Sequence, residues 1–395
     1  MKPSTFRLVL LVSCAHMLVH VYELSIASVE QNVADDFGVA ANVTGSLGMV
    51  WRIPFGAGAL LAGWLADRFG SKPMLVLYLA GCSAAALATW AAPSLAVLFA
   101  TMFVMGSFAS IYHPAGLAII SRETTAAERG RALGWHGIFG SAGSATAPFL
   151  AGALLLIPAL TWRDYFLVLM VPGAVLAVVL SLVLVERRDD PAQAAAFSLD
   201  DGPFHARQYW ILVAVNVLFG FVYAALMNFL ARYLTAANLQ PDLVAPKQWG
   251  ALCAAVVLLC GMVGQAISGK LARPDRLRPM MTAILLANVP CLAAMAVAEG
   301  VWRLVAACAT GLFHFMHQPV FNSFLAQLVP RRRRSVGYGF SQMMQFGLGA
   351  LGAQFAGSIM ASSLSDPILV NYLSLAGVAL AAAVLSTRIR PVPTR

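Results

Sequence analysis

Runs of about 20 mainly apolar residues recur twelve times along this chain, and its charged residues gather in the short segments between them. A helix needs about 20 such residues to cross the ~30 Å hydrocarbon layer of a bilayer. Only helices and closed barrels satisfy their own backbone polar groups in that layer. The runs lie at 6–28, 44–66, 74–92, 95–121, 131–157, 164–185, 208–231, 249–269, 279–298, 301–329, 336–360 and 367–387. With 60% of residues hydrophobic and 11% charged, the chain has too little charge to cover a soluble core of its size. The first run continues past Ala27 without a small-residue cleavage pattern, so it reads as a span rather than a signal peptide. The spacing predicts an all-α membrane protein with twelve transmembrane helices.

The basic residues orient these spans. Of the 26 Lys and Arg, only Arg163, Arg232, Lys247 and Arg303 fall on one side of the predicted layer. Arg52 lies within a span, and the rest share the side of both termini. Cytoplasmic loops collect Lys and Arg, so both termini are expected in the cytoplasm and the chain in the cell inner (plasma) membrane. This placement accounts for the net charge of +9 without a nucleic-acid partner. Between the sixth and seventh runs, Glu186–Arg207 holds five acids, three arginines, Pro191, Gly202 and Pro203, which reads as a solvated linker. The expected division is residues 1–185, a cytoplasmic linker 186–207, and residues 208–395.

The two halves repeat. Gly63-Trp-Leu-Ala-Asp-Arg-Phe-Gly-Ser-Lys-Pro73 ends the second run, and Gly269-Lys-Leu-Ala-Arg-Pro-Asp-Arg-Leu-Arg-Pro279 ends the eighth with the same length. A second echo relates Pro114, the basic loop and Gly134 to Pro319, the basic loop and Gly337. Duplication of a six-helix unit is the construction of alternating-access transporters. The six cysteines fall inside apolar runs with no C-x-x-C pair, so they read as small buried residues rather than a disulfide or zinc framework.

The segment Gly63, Asp67, Arg68, Gly70 and Lys72 resembles the loop motif G-x-L-a-D-r-x-G-r-k between helices 2 and 3 of the major facilitator superfamily. The resemblance covers the whole chain and implies that family's fold, two pseudo-symmetric six-helix bundles. It also implies that Asp67 is a gating latch, for which a carboxylate facing a helix N-terminus is a physical basis. A solvated charged turn is the competing account. In the fifth run, Gly134, Gly143, Ala147, Pro148, Ala151 and Gly152 resemble the family's G-x8-G-x3-G-P-x2-G-G motif, with two glycines replaced by alanine. That motif implies antiport, and its small residues permit close helix packing. One departure stands against the drug exporters, which carry an Arg three residues before a glycine in span four; here Phe103 precedes Gly106. His16, His20, Tyr22 and Glu23, with Ile111–Gly116 and Arg129–Gly134, resemble the fosmidomycin-resistance-like efflux branch of the superfamily.

An ionisable side chain inside a membrane is costly and faces a cavity or a partner. His16, His20 and Glu23 stand at i, i+4 and i+7, on one helical face. At 1.5 Å per residue, Glu23 lies about 8 Å from the outer end of its span, and His20 and Arg52 each about 12 Å. A proton-sensitive pair between Glu23 and Arg52 is therefore expected, with a structural ion pair as the alternative. His113, His314, His317, Gln318 and Asn322 complete the expected proton-coupling and substrate-cavity set, with His314, Gln318 and Asn322 on one face. His136 is expected to be structural. Divalent metal transport is a lesser alternative, since no Cys joins His16 and His20 and no His-rich loop concentrates metal; no metal site is assigned.

With no G-x4-G-K-[ST] loop and no nucleophile–base arrangement, neither an ATP-driven pump nor an enzyme is expected, and no cofactor. The reading is a monomeric secondary transporter, its partners protons, a small-molecule substrate and the lipid bilayer, exporting by proton antiport. Proton symport uptake of an anionic metabolite, with Arg52 and the histidines as the anion site, is the runner-up.

Overall fold

The computed structural model describes residues 3–186, 203–330 and 333–390, and the regular structure of these residues is helical. The first half comprises α1 (Pro3–Ser28), the short α2 (Glu30–Phe37), α3 (Ala41–Phe69), α4 (Ser71–Trp90), α5 (Leu95–Ala109), α6 (Tyr112–Glu123), α7 (Ala126–Leu154) and α8 (Trp162–Val183). The second comprises α9 (Ala206–Thr235), α10 (Pro246–Leu271), α11 (Leu277–Val297), α12 (Val301–Phe315), α13 (His317–Leu328), α14 (Arg334–Gly347), α15 (Leu351–Met360) and α16 (Pro367–Ser386). The pairs α5–α6, α12–α13 and α14–α15 each form one crossing in two pieces. The twelve crossings make two six-helix bundles. Most of the linker, residues 187–202, lies outside the described residues, as do Lys2, Arg331, Arg332 and Arg395.

Two of the breaks have the same cause. Pro114 cannot donate to the Ser110 carbonyl four residues back, nor Pro319 to that of Phe315, so the helical ladder is interrupted just ahead of each. The chain turns at Ser110–Ile111 and at Met316, and the helix that follows starts at Tyr112 in the first half and at His317 in the second, two residues before the proline in each. The repeated loops, by contrast, differ. Gly70 adopts φ 95°, which lets α4 start one residue after α3 ends. Its counterpart Arg276 has φ −117°, and Pro274 ends α10 early, so that loop needs residues 272–276.

Ten crossings are long and apolar enough to span a bilayer on composition alone. The other two are α7, which carries Glu128, Arg129 and Arg131, and α14–α15, which carries Gln342, Gln345 and Gln354. These are the crossings used between the halves: α7 packs on α1 and α10, and α14–α15 packs on α3. Under the duplication the contact of span 5 with span 8 is the image of span 11 with span 2, so one kind of interface is used twice. Small residues bring the backbones together there. A Cβ on Gly45 would strike the Ala353 carbonyl, and one on Gly357 that of Ala41.

Near the termini face, the Glu186 carboxylate accepts from the backbone N–H groups of Ser71 and Lys72, both at 2.8 Å. It also accepts from Arg122 Nη2 at 2.7 Å. This closes the N-terminus of α4 as a cap and a dipole partner. On the opposite face the halves are tied to each other. Glu30, 1% exposed, takes Arg232 Nε at 2.7 Å on one oxygen and Nη2 at 2.9 Å on the other, and Thr44 Oγ1 at 3.1 Å. Asp35 pairs with Lys247, Gln31 donates to Thr235 at 3.0 Å, and Gln248 donates to the Leu155 carbonyl at 3.2 Å. The fork-to-fork geometry is the strong form of an ion pair.

Because Arg232 is 32% exposed, breaking that pair should cost about 1–2 kcal/mol rather than the larger figure of a fully buried one. Glu30→Gln is expected to raise labelling of a Gln354→Cys probe by a membrane-impermeant maleimide about 5–30-fold, in an otherwise cysteine-free chain. Exchange of the charges, Glu30→Arg with Arg232→Glu, should restore protection. Unchanged labelling in Glu30→Gln would show that the glycine contacts alone seal this face.

Candidate transport site

The fold brings together residues from three helices of the first half. His16 on α1 donates through Nδ1 to the His136 carbonyl on α7 at 2.6 Å. Its Nε2 faces His20 Nε2 at 3.2 Å, and His20 Nδ1 bonds Glu23 Oε2 at 2.8 Å. His113, on α6, meets His16 edge-on at 5.3 Å between ring centroids and His20 at 5.8 Å. The His136 ring stacks on His16 at 3.7 Å, and the Tyr112 ring lies nearly parallel to both, 5.1 Å from His16 and 6.0 Å from His136. One ligand atom from each of His16, His20 and His113 lies within 4.8 Å of the others, a spacing that would admit a divalent cation.

Proton counting constrains this chain of hydrogen bonds. The His136 carbonyl only accepts, so Nδ1 of His16 carries its proton and Nε2 of a neutral His16 carries a lone pair. Contact between the two Nε2 atoms then needs a proton from the His20 side. The His20–Glu23 bond needs a second one, on the imidazole or on the carboxyl. The set closes only with one proton more than a neutral imidazole and an ionised carboxylate together hold.

Arg52 does not pair with Glu23 as its depth led us to expect: no ion pair within 4.0 Å joins them among the described residues. Depth along a helix fixes height but not direction, and His20, one turn from Glu23 on the same helix, takes the carboxylate. Arg52 is 1% exposed, its Nη1 bonds the Gly48 carbonyl at 3.2 Å, and its Nε and Nη2 are buried with no partner. It remains near enough to Glu23 to act on it electrostatically, as does the Tyr223 hydroxyl of the second half. Asn228, also from the second half, is buried beside Gly48 with its Oδ1 unpaired.

In the second half, His314 and His317 sandwich Phe219 at centroid distances of 4.0 and 3.9 Å. His314 Nδ1 meets Asn288 Oδ1 at 3.2 Å, and both Nε2 atoms are buried without partners. Gln318 and Asn322 do not share this setting. Both are exposed, with Gln318 accepting from Gln265 at 3.1 Å. The interruption at Met316 breaks the register that would have aligned them with His314, and His317 takes the inward position. His136 was assigned a structural place by its position alone; its stacking on His16 is set by how α7 crosses α1, which no local pattern in the sequence reveals.

In the loop motif, Asp67 is exposed and makes no hydrogen bond or ion pair among the described residues, while Arg68 lies over the Trp64 and Phe69 rings at 5.4 and 5.5 Å. Lys72 meets Glu186 through its backbone, and Gly63 has only the Pro114 side chain near it. In the fifth-span motif, a Cβ on Gly143 would strike the Met17 carbonyl, and one on Gly152 would meet Leu252 and the Gln248 carbonyl. Gly134 has open space around it, and α7 continues through Pro148.

A family model described as Major Facilitator Superfamily matches residues 10–353. A probable sulfoacetate transporter of Cupriavidus necator is 24% identical over 287 residues, which are 68% of this chain and 65% of that protein. The puromycin resistance protein of Streptomyces alboniger is 38% identical over 128 residues, 32% of this chain and 25% of that one. The chain therefore spans less than two thirds of the length of these curated relatives. Among solved structures, the inward open conformation of the xylose transporter of E. coli superposes with a TM-score of 0.80 at 13% identity, covering 98% of this chain and 96% of that one.

Gly140 offers a direct test of the cluster, because a Cβ there would overlap the His16 ring. Gly140→Ala should therefore displace the imidazole and reduce transport at least tenfold. Overpacking of this kind costs about 1–3 kcal/mol, so the purified variant should stay folded, as its melting temperature will report. Full transport would show that His16 has no part in turnover.

Proposed function

This chain belongs to the Major Facilitator Superfamily, whose members are transporters and not in general enzymes, and from that premise we propose a proton-coupled secondary transporter of a small organic compound. The observation that carries the coupling is the proton count: His136 carbonyl, His16, His20 and Glu23 form one chain only when an extra proton is held. Losing it leaves His20 one proton for two contacts: on Nδ1 it keeps Glu23 but opposes two lone pairs at 3.2 Å, and on Nε2 it satisfies His16 and frees Glu23 to turn toward Arg52. A buried group that changes partner with protonation is what coupling requires.

The working cycle is rocking of residues 1–185 against 208–395 about the span 2–11 and 5–8 contacts, with 186–207 as the connecting linker. The asymmetry of basic residues supports cytoplasmic termini in the inner (plasma) membrane. In that orientation Glu30–Arg232 closes the outer face, and Asp67 would close the cytoplasmic face in the opposite state. A monomer is sufficient for this cycle.

Export by antiport is the first direction, supported by the fifth-span glycines, by the resemblance to the fosmidomycin-resistance-like branch, and by the relative named for puromycin resistance. The second reading, uptake of an anion by proton symport, is favoured by the unpaired edge of Arg52 and by the relative named for sulfoacetate.

In proteoliposomes carrying a pH gradient, the wild type should drive net flux, and Glu23→Gln should lose it while keeping substrate exchange at equal pH. Flux toward the alkaline side marks symport, and flux toward the acidic side marks antiport. Gradient-driven flux preserved in Glu23→Gln would sink the coupling proposal. Zinc as the sole compound moved would replace the organic substrate with a metal.

A further inference from the structure

Arg52 lies fully inside the protein, yet among the described residues no carboxylate forms an ion pair with its guanidinium within 4.0 Å. One nitrogen, Nη1, is held by the Gly48 carbonyl one turn back. The two left over, Nε and Nη2, form the lateral edge of the planar group, the edge that grips a carboxylate or phosphate through two parallel N–H···O bonds. A buried charge in this condition calls for a counter-ion. Glu23 could be that counter-ion, but no ion pair within 4.0 Å joins the two: His20 holds its Oε2, and its Oε1 is itself buried without a partner. The absence of a Cβ at Gly48 makes room for both Arg52 and Asn228, which come from opposite halves of the molecule.

We propose that the Nε–Nη2 edge of Arg52 docks the anionic headgroup of the transported compound, a carboxylate, sulfonate or phosphonate, with Asn228 and Tyr223 of the second half beside it. This rests on the symport reading above and gives that reading its substrate class. The titratable and charged groups acting on Glu23 are His20 on its own helix, Arg52 on α3 and Tyr223 on α9, and those packed around His20 and His16 in turn are His113 on α6 and His136 on α7. When the chain through His20 holds its extra proton, Glu23 is satisfied there and Arg52 is free to take the anion. When that proton leaves, Glu23 becomes the nearest counter-ion and competes for the same edge. Proton and anion therefore favour each other's binding, and linkage makes the effect equal in both directions.

Trp51 is adjacent in the chain and fully buried, so intrinsic fluorescence of the purified full-length protein is a suitable readout. Sulfoacetate, glycerate and methylphosphonate would be titrated at pH 5.5 and pH 8.0, with neutral glycerol as the control. The wild type should bind at least one anion, about tenfold more weakly at pH 8.0, and ignore glycerol. Arg52→Gln should lose at least 30-fold in affinity, while Arg52→Lys, with a charge but no fork, should fall between. Glu23→Gln should bind equally at both pH values. Size-exclusion profile and melting temperature would establish that each variant is folded.

Anion affinity unchanged in Arg52→Gln overturns the docking role, and so does a wild type that binds none of the three anions at pH 5.5. Proton-driven flux of puromycin, with anions neither bound nor moved, would overturn this inference and leave the coupling proposal standing. Anion binding that needs Arg52, with no gradient-driven flux, would do the reverse.

Discussion

A charge taken out of water must be answered by an opposite charge, a hydrogen bond or a proton, and this molecule is arranged around four such demands. Glu30 is answered by Arg232 across the two halves, which ties one face shut. Glu186 is answered by Arg122 and by the first N–H groups of α4, within one half, and leaves the other face untied there. Glu23 is answered by His20 and an extra proton. Arg52 is the fourth, and its answer is incomplete. Glu30 and Glu186 account for the shape of the conformation seen, Glu23 keeps one buried oxygen without a partner, and Arg52 lies between the two halves, where a mobile ligand would be released by rocking.

Packing makes these demands geometrically sharp. Lipid tails give apolar helices little reason to associate, so close approach in a membrane depends on small residues and hydrogen bonds. Gly143 allows α7 to lie against the Met17 carbonyl, and three residues earlier Gly140 leaves the space that the His16 ring fills. The position of His16 thus depends on a helix far away in sequence. The same helix face that packs through the motif's Gly143 supplies, at Gly140, the wall against which the His16 ring lies.

The legibility of the chain in its sequence follows the same division. Span length and the distribution of Lys and Arg are one-dimensional quantities, and the crossings could be placed from them almost completely. The two crossings outside the set that is long and apolar enough to span on those grounds alone, α7 and α14–α15, are still legible as the mainly apolar runs 131–157 and 336–360. Azimuth was the missing variable. Glu23 and Arg52 sit at matching depth but do not pair, and Gln318 and Asn322 lost register with His314 at a break that Pro319 imposes. His136 entered the cluster through a contact between α1 and α7 that depends on a helix crossing and not on any spacing. Residues 187–202 of the linker lie outside those described.

The direction of transport reduces to the sign of the charge that binds beside Glu23. A cation would compete with the proton for the carboxylate and the imidazoles, so the carrier would exchange one for the other and export against the gradient. An anion would compete with the ionised carboxylate for Arg52, so that proton and substrate would load together. Both outcomes use the same residues, and a single family can host both without changing its fold. In this chain one oxygen of the Glu23 carboxylate is held by His20 and the other has no partner, while the Arg52 guanidinium has two N–H groups without one. In the proton-loaded arrangement a cation would find one free oxygen and would have to break the Glu23–His20 bond to gain the second, whereas an anion would find two oriented N–H donors at no such cost. The physical asymmetry of the site therefore weighs toward co-transport, against the weight that the glycine motif places on export.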